Sequence, residues 1–201
     1  MSDNYRIICT AKEIDSSEKL AKKVIDWMQM EKIIEIDKTD CVLSSEKLGF
    51  RPSDNYLSAV ICDENITRLI TCGVEIQTKR EVFNAMAFTP FIKMCCPVCN
   101  KNRFEGITEP DFYSENLTQD QLELYHSVFE KFDSWSNGEE AILNCPFCHE
   151  DREIGEYITG DGLSLSNFGL TFWNWPEFKP EFMNKINDLI GAKTKVIVGH
   201  I

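Results

Sequence analysis

The sequence predicts an α+β protein: a mixed sheet with packed helices, interrupted by an inserted module. Three observations predict it. Apolar residues recur at helical spacing in three separate stretches, β-branched or alternating runs read as strands around them, and the tetrapeptide Cys-Pro-x-Cys occurs twice. With 201 residues, 43% of them hydrophobic, the chain can bury one substantial core and a small module besides. The expected organisation is residues 1–90 as the first part of an α+β core, 91–155 as the insert, and 156–201 as a strand, helix and strand completing the core.

The first helix is expected over about 16–30. Asp15 followed by Glu18 has the form of a capping box, and Leu20, Val24, Trp27 and Met28 share one face. Tyr56 to Cys62 and Ile66 to Cys72 are apolar runs separated by Asp63-Glu64-Asn65, the spacing of a β-hairpin. Val74 to Gln77 alternates apolar and polar, which reads as a half-buried strand. Inside the insert, Thr118 and Gln121 repeat the capping logic, and Leu122, Tyr125, Phe129 and Phe132 predict a helix over about 119–133. Ser136-Asn137-Gly138 then turns the chain back. Phe168 to Trp175 reads as an aromatic strand, with Trp173 and Trp175 sealing the sheet against a helix. Pro180 opens that helix, which carries Phe182, Ile186, Leu189 and Ile190 and closes at Gly191. Lys195 to Val198 forms the last strand, so the tail has the length of a βαβ unit.

The chemistry of the chain concentrates in its cysteines. Cys96-Pro97-Val98-Cys99 and Cys145-Pro146-Phe147-Cys148 each place two thiols one tight turn apart, and an arginine follows four residues after each second cysteine, Arg103 and Arg152. Together the two turns offer four soft sulfur ligands, the set that a tetrahedral zinc ion takes at about 2.3 Å. Successive backbone N–H groups in such a turn point at the sulfurs and favour thiolate over thiol. Cys96, Cys99, Cys145 and Cys148 are therefore the candidate metal ligands, and structural Zn2+ is the expected cofactor. The pattern resembles the four-cysteine module of zinc-ribbon and zinc-knuckle proteins. Asn100 and His149 stand where that family usually has glycine; asparagine tolerates a left-handed backbone more easily than histidine. The 45 residues from Asn100 to Asn144 exceed the span of a compact ribbon, so the chain leaves the site and returns.

Cys95 and His149 are alternative ligands, but the proline register favours Cys96, and an imidazole beside a complete four-cysteine set reads as a neighbour. A second reading is redox. Cys145-Pro146-Phe147-Cys148 follows the apolar run Ala141-Ile142-Leu143 and resembles the active-site tetrad of glutaredoxin-like dithiol enzymes, although only 53 residues follow it and the duplication has no role there. The other five cysteines show no spacing pattern, and no run of 18 apolar residues occurs, so a membrane span and a secreted disulfide framework are not expected. A cytoplasmic location is the expectation.

The formal charge of −12 is uneven. Residues 1–90 carry 12 basic and 15 acidic side chains, residues 91–150 carry 4 and 11, and residues 151–201 carry 5 and 7. Phosphate affinity comes from lysine and arginine displacing counterions, so the central segment is poorly suited to direct nucleic-acid binding. An acidic field attracts a basic protein instead and speeds its association.

No nucleophile elbow, Walker loop, zinc-protease helix or dinucleotide fingerprint occurs in the chain. His126, His149 and His200 are scattered and read as structural or solvated. The stretch Phe168 to Ile201 and the knuckle arrangement resemble small bacterial proteins, a likeness that assigns no activity to any residue. The expected function is a non-catalytic, zinc-stabilised acidic protein that binds another protein of basic character, as an inhibitor or immunity-type protein does. The alternatives are a dithiol oxidoreductase using Cys145 and Cys148, and a nucleic-acid-associated zinc-ribbon protein drawing on Arg152, Lys193 and Lys195.

Overall fold

A computed structural model of the protein describes residues 3–43, 47–62, 66–84, 93–107 and 117–201. The chain begins with β1 (Asn4–Thr10), α1 (Ser17–Met30), β2 (Ile34–Thr39), β3 (Gly49–Pro52), β4 (Val74–Gln77) and β5 (Glu81–Asn84). Next come β6 (Met94–Cys95), α2 (Gln119–Ser136), β7 (Ile142–Asn144), β8 (Asp151–Glu153), β9 (Ile158–Thr159) and β10 (Leu163–Ser166). β11 (Gly169–Trp173), α3 (Pro180–Ile190) and β12 (Thr194–His200) complete it. Among the described residues no helix is long and apolar enough to cross a membrane.

Six strands form the main sheet in the order β12-β1-β11-β4-β3-β2. The expectation of a mixed sheet is corrected here, because every neighbouring pair in it is antiparallel. β11 and β12 run in the same direction, as a strand-helix-strand unit requires, but β1 lies between them and pairs with both. The N-terminal strand thus splits the C-terminal unit.

Alternation along the strands divides the core. On one face, Ile8, Leu170, Phe172 and Val74 pack against Ala21, Val24 and Met28 of α1 and Phe182, Ile186 and Ile190 of α3. Trp27 meets Phe182 at 5.8 Å between ring centroids, joining the two helices. On the other face, Tyr5, Ile7, Cys9, Trp173 and Ile197 pack with Phe83 of β5. Trp175 is 3% exposed, edge-on to Phe172, and donates its indole N–H to Cys72 O at 2.7 Å, so it seals the helix-facing side as expected, whereas Trp173 lies on the opposite face. A further cluster, including Met94, Phe104, Val128, Phe132, Trp135, Leu143, Ile154 and Leu165, sits around α2 and the cysteine turns.

Several local expectations change. The predicted hairpin is absent: Tyr56–Ser58 and Ile66–Arg68 are short 3-10 turns, and the 63–65 connection lies outside the described residues. The reason is period. Tyr56, Ala59 and Val60 are the buried members of the first run, and Ile66, Leu69 and Cys72 turn inward in the second, which is helical rather than alternate spacing. α1 begins without the Asp15 box, after Ser16 in a left-handed conformation with no side-chain cap. The box at Thr118 and Gln121 does form, and α2 runs three residues past the expected end, which places Trp135 in the core at 0% exposure. Gly191 closes α3 at φ 67°, a conformation glycine takes without a Cβ penalty.

Lys195 of β12 crosses from the main sheet to the β9–β10 turn. Its ammonium donates to Thr159 O, Gly160 O and Leu163 O, each at 2.9 Å, and to Thr159 Oγ1 at 2.6 Å. Replacing it removes a charged donor from partly buried carbonyls. Lys195→Met is expected to lower stability by about 2–3 kcal/mol, read as a lower urea midpoint with an unchanged slope.

Candidate metal centre

Each cysteine turn grows from a short β-ladder. β6 enters the first, whose return side bridges Cys95 to Asn102; β7 enters the second, whose return strand β8 aligns Asn144 with Asp151. The backbone bonds repeat as well. Asn100 N–H donates to Cys96 O and His149 N–H to Cys145 O, both at 2.9 Å, while Cys96 N–H reaches Lys101 O and Cys145 N–H reaches Glu150 O, both at 3.0 Å. Asn100 and His149 have nearly the same left-handed φ, 58° and 60°. The second turn therefore keeps the geometry of the first despite its histidine.

The two turns face each other. The sulfurs of Cys96, Cys99, Cys145 and Cys148 all lie within 4.8 Å of one another. Cys96 Sγ is 3.7 Å from Cys148 Sγ, and Cys99 Sγ is 3.7 Å from Cys145 Sγ. A disulfide would need about 2.05 Å. Four sulfurs about 2.3 Å from a central ion form a tetrahedron with edges of about 3.8 Å, so these separations fit a metal and not a bridge. This is the group of cysteine, histidine or carboxylate residues that could hold a metal ion among the described residues.

Local donors prepare the sulfurs for negative charge. Val98 N–H points at Cys96 Sγ at 3.4 Å. Burial acts to raise the Cys145 thiol, but the backbone N–H groups of Cys148 and Phe147, with the thiols of Cys148 and Cys96, bring it down to about 6. For Cys148 the N–H of Glu150 acts downward, yet burial and the thiols of Cys145, Cys99 and Cys96 outweigh it.

The surroundings hold the turns in register. Arg103, four residues past Cys99, donates from Nη1 to Asn144 O at 2.6 Å and so ties the first turn to the second. Tyr157 donates to Leu143 O at 3.4 Å beneath the sulfurs. Burial pushes its hydroxyl up to about 12, with Arg103 acting against that shift and Cys96 and Cys145 adding to it. Arg152, the matching arginine, instead stays partly exposed near Glu150 at 3.6 Å.

The four cysteines singled out from the sequence come together, and the alternatives do not join them. Cys95 is buried at 5% exposure but is not a member of the sulfur cluster, and the His149 side chain is exposed. His126 and His200 are exposed on separate elements. Sequence reasoning noted Arg103 only by its position four residues after Cys99, without a role, and did not find Tyr157, whose part has no spacing signature. A complete set of four sulfurs leaves no open coordination position, so the chemistry such an ion supplies is cross-linking. No family model, curated protein or solved structure matches this chain.

A left-handed backbone costs a residue with a Cβ about 1 kcal/mol. His149→Gly is expected to raise stability by about that amount, because the exposed imidazole gives up no contact within the sulfur set. The check is differential scanning calorimetry of the two proteins at equal metal content.

Proposed function

We propose that this is a non-catalytic acidic protein in which structural Zn2+ joins Cys96, Cys99, Cys145 and Cys148, and that it binds a basic protein partner in the manner of an inhibitor or immunity-type protein. The observation that carries the zinc assignment is the 3.7 Å spacing of sulfurs contributed by two matching turns. A soft, closed, four-thiolate set selects zinc over harder cations such as magnesium or calcium. It also argues against a free dithiol at Cys145 and Cys148, because each of those thiols has a close neighbour from the other turn.

Support for a basic partner comes from charge and its placement. Asp120, Glu123, Glu130 and Asp133 are exposed along α2 on its solvent side, and Glu139 and Glu140 follow beyond its end. Glu115, which extends this acidic series in the sequence, lies outside the described residues. The third residue of each cysteine turn is exposed too, Val98 at 51% and Phe147 at 37%, placing apolar contact surface next to the metal set. Acidic and apolar groups together suit a cationic protein surface better than phosphates.

Purified protein is expected to hold about one equivalent of zinc by elemental analysis, and cobalt exchange is expected to give the intense near-ultraviolet thiolate bands of a tetrahedral site. Cys96→Ser or Cys148→Ser would lose the metal and lower the melting temperature; a metal-free native protein overturns the zinc reading. Partner capture at low salt is expected to weaken steeply as salt rises. It should fall by at least about tenfold when Asp120, Glu123 and Glu130 become lysine, and equal capture by the charge-reversed protein overturns the basic-partner reading.

A further inference from the structure

The described residues do not fully cover the face of the main sheet opposite α1 and α3. It leaves a cleft of about 180 Å³ where β5 and the C-terminal Ile201 lean over β1, β11 and β4. Its floor follows from strand register: Ile7, Thr171 and Glu75 stand directly across from one another on three adjacent strands, and Tyr5 stands across from Trp173 in the next row. One end is closed by Phe83, whose ring lies where a Cβ on Gly169 would be, 2.4 Å from its Cζ, so Gly169 is what lets β5 approach so closely. The cleft is thus made by tertiary pairing of segments from both ends of the chain.

Its lining is apolar with a few convergent polar groups, the composition of a small-molecule site. Tyr5 and Trp173 lie 5.5 Å apart between centroids, tilted at 56° to one another, and give an aromatic wall. Two carboxylates enter. Glu75 is 6% exposed and is held by Lys47 at 2.9 Å and by the Gln77 amide at 2.8 Å. Glu81, on β5, has no hydrogen bond or ion pair among the described residues. Lys47 thus acts on both carboxylates, one positive charge against two negative ones, and the cleft keeps a negative charge beside its aromatic wall. Burial raises the Glu81 carboxyl, with Lys47 acting against this and Glu75 adding to it.

Two further polar side chains line the cleft. Thr171 is 8% exposed in the centre of the floor, and Trp173, 9% exposed, has a buried indole N–H with no acceptor among the described residues. Buried polar groups are ordinarily paired. A cleft that places the Glu81 and Glu75 carboxylates beside aromatic rings has the features of a pocket for a cationic, apolar-bodied ligand.

We propose that this cleft binds a small organic cation of the arylalkyl primary amine class, its ammonium at Glu81 and Glu75 and its ring over Ile7, Phe83 and Trp173. The cleft is smaller than the ~300–1,000 Å³ of sites for drug-sized ligands, which fits a single-ring amine and not a nucleotide. The overall charge of −12 adds a field that draws cations in. The inference stands apart from the metal centre and does not depend on its occupant.

The test uses the full chain as purified, with phenethylamine as the probe and 2-phenylethanol as its neutral counterpart, followed by isothermal titration and by saturation-transfer NMR. Saturable one-to-one binding of phenethylamine is expected. The alcohol should bind at least about tenfold more weakly, and so should phenethylamine to Glu81→Gln. Glu81 is partly exposed and unpaired, so this variant should keep the wild-type circular dichroism; should it not, the comparison of amine with alcohol on the wild-type protein decides alone. Equal affinity for amine and alcohol, unchanged affinity in a folded Glu81→Gln, or no saturation at millimolar amine overturns the proposal.

Discussion

The close approach of sulfurs from two separate turns is the constraint on which the rest of the α2 region depends. Both 3.7 Å contacts run between turns, Cys96 to Cys148 and Cys99 to Cys145. Closing a loop as long as the one between Cys99 and Cys145 costs chain entropy, and thiolates packed this closely repel unless a cation sits among them. A structural zinc ion held by four thiolates would contribute about 10–16 kcal/mol near neutral pH, comparable with the whole stability of an ordinary domain, about 5–15 kcal/mol. Against that scale, the left-handed strain of one histidine would be small.

Around the sulfurs, burial and polar ties act together. Cys96 and Cys145 belong to the same buried cluster as Met94, Phe104, Leu143, Ile154 and Trp135, so loosening the metal set would expose the side chains that α2 covers. That cluster is joined to the main sheet at few points. β10 pairs with β5, Lys195 clamps β12 to the β9–β10 turn, and Arg80 binds Glu13 through both carboxylate oxygens while its guanidinium lies over Trp135 at 5.1 Å. The junction includes a buried polar network, in which Ser164 donates to Thr10 O at 2.8 Å and Thr10 and Ser166 hydrogen-bond through their hydroxyls. Such joints between layers are where clefts form, and the cleft beneath β5 lies at one.

Parts of this were legible from residues alone. The α1 face, the capping box at Thr118, Pro180 and Gly191 around α3, and each of the two Cys-Pro-x-Cys turns rest on interactions within a few residues, so spacing reports them directly. The runs at 56–62 and 66–72 misled because short apolar stretches look alike whether they alternate or turn; only the burial of Tyr56 with Ala59 and Val60, and the inward turn of Leu69 between Ile66 and Cys72, reveals their period. The left-handed Ser16 displaced the expected Asp15 cap because the Ser17 hydroxyl instead reaches Thr78 O, a partner 61 residues away.

What the sequence determined by itself was the inventory: α+β composition, where most helices lie, two matching cysteine turns and an acidic middle. These depend on neighbours along the chain, and neighbours are written in order. Tertiary structure alone decided that β1 would divide the C-terminal strand-helix-strand, that the sheet would be antiparallel throughout, and that Glu75, Glu81 and Trp173 would share a cleft. The physical reason is distance along the chain: Tyr5 pairs with Trp173, and Ile7 with Ile197, and no local pattern encodes which of several similar strands a given edge will choose.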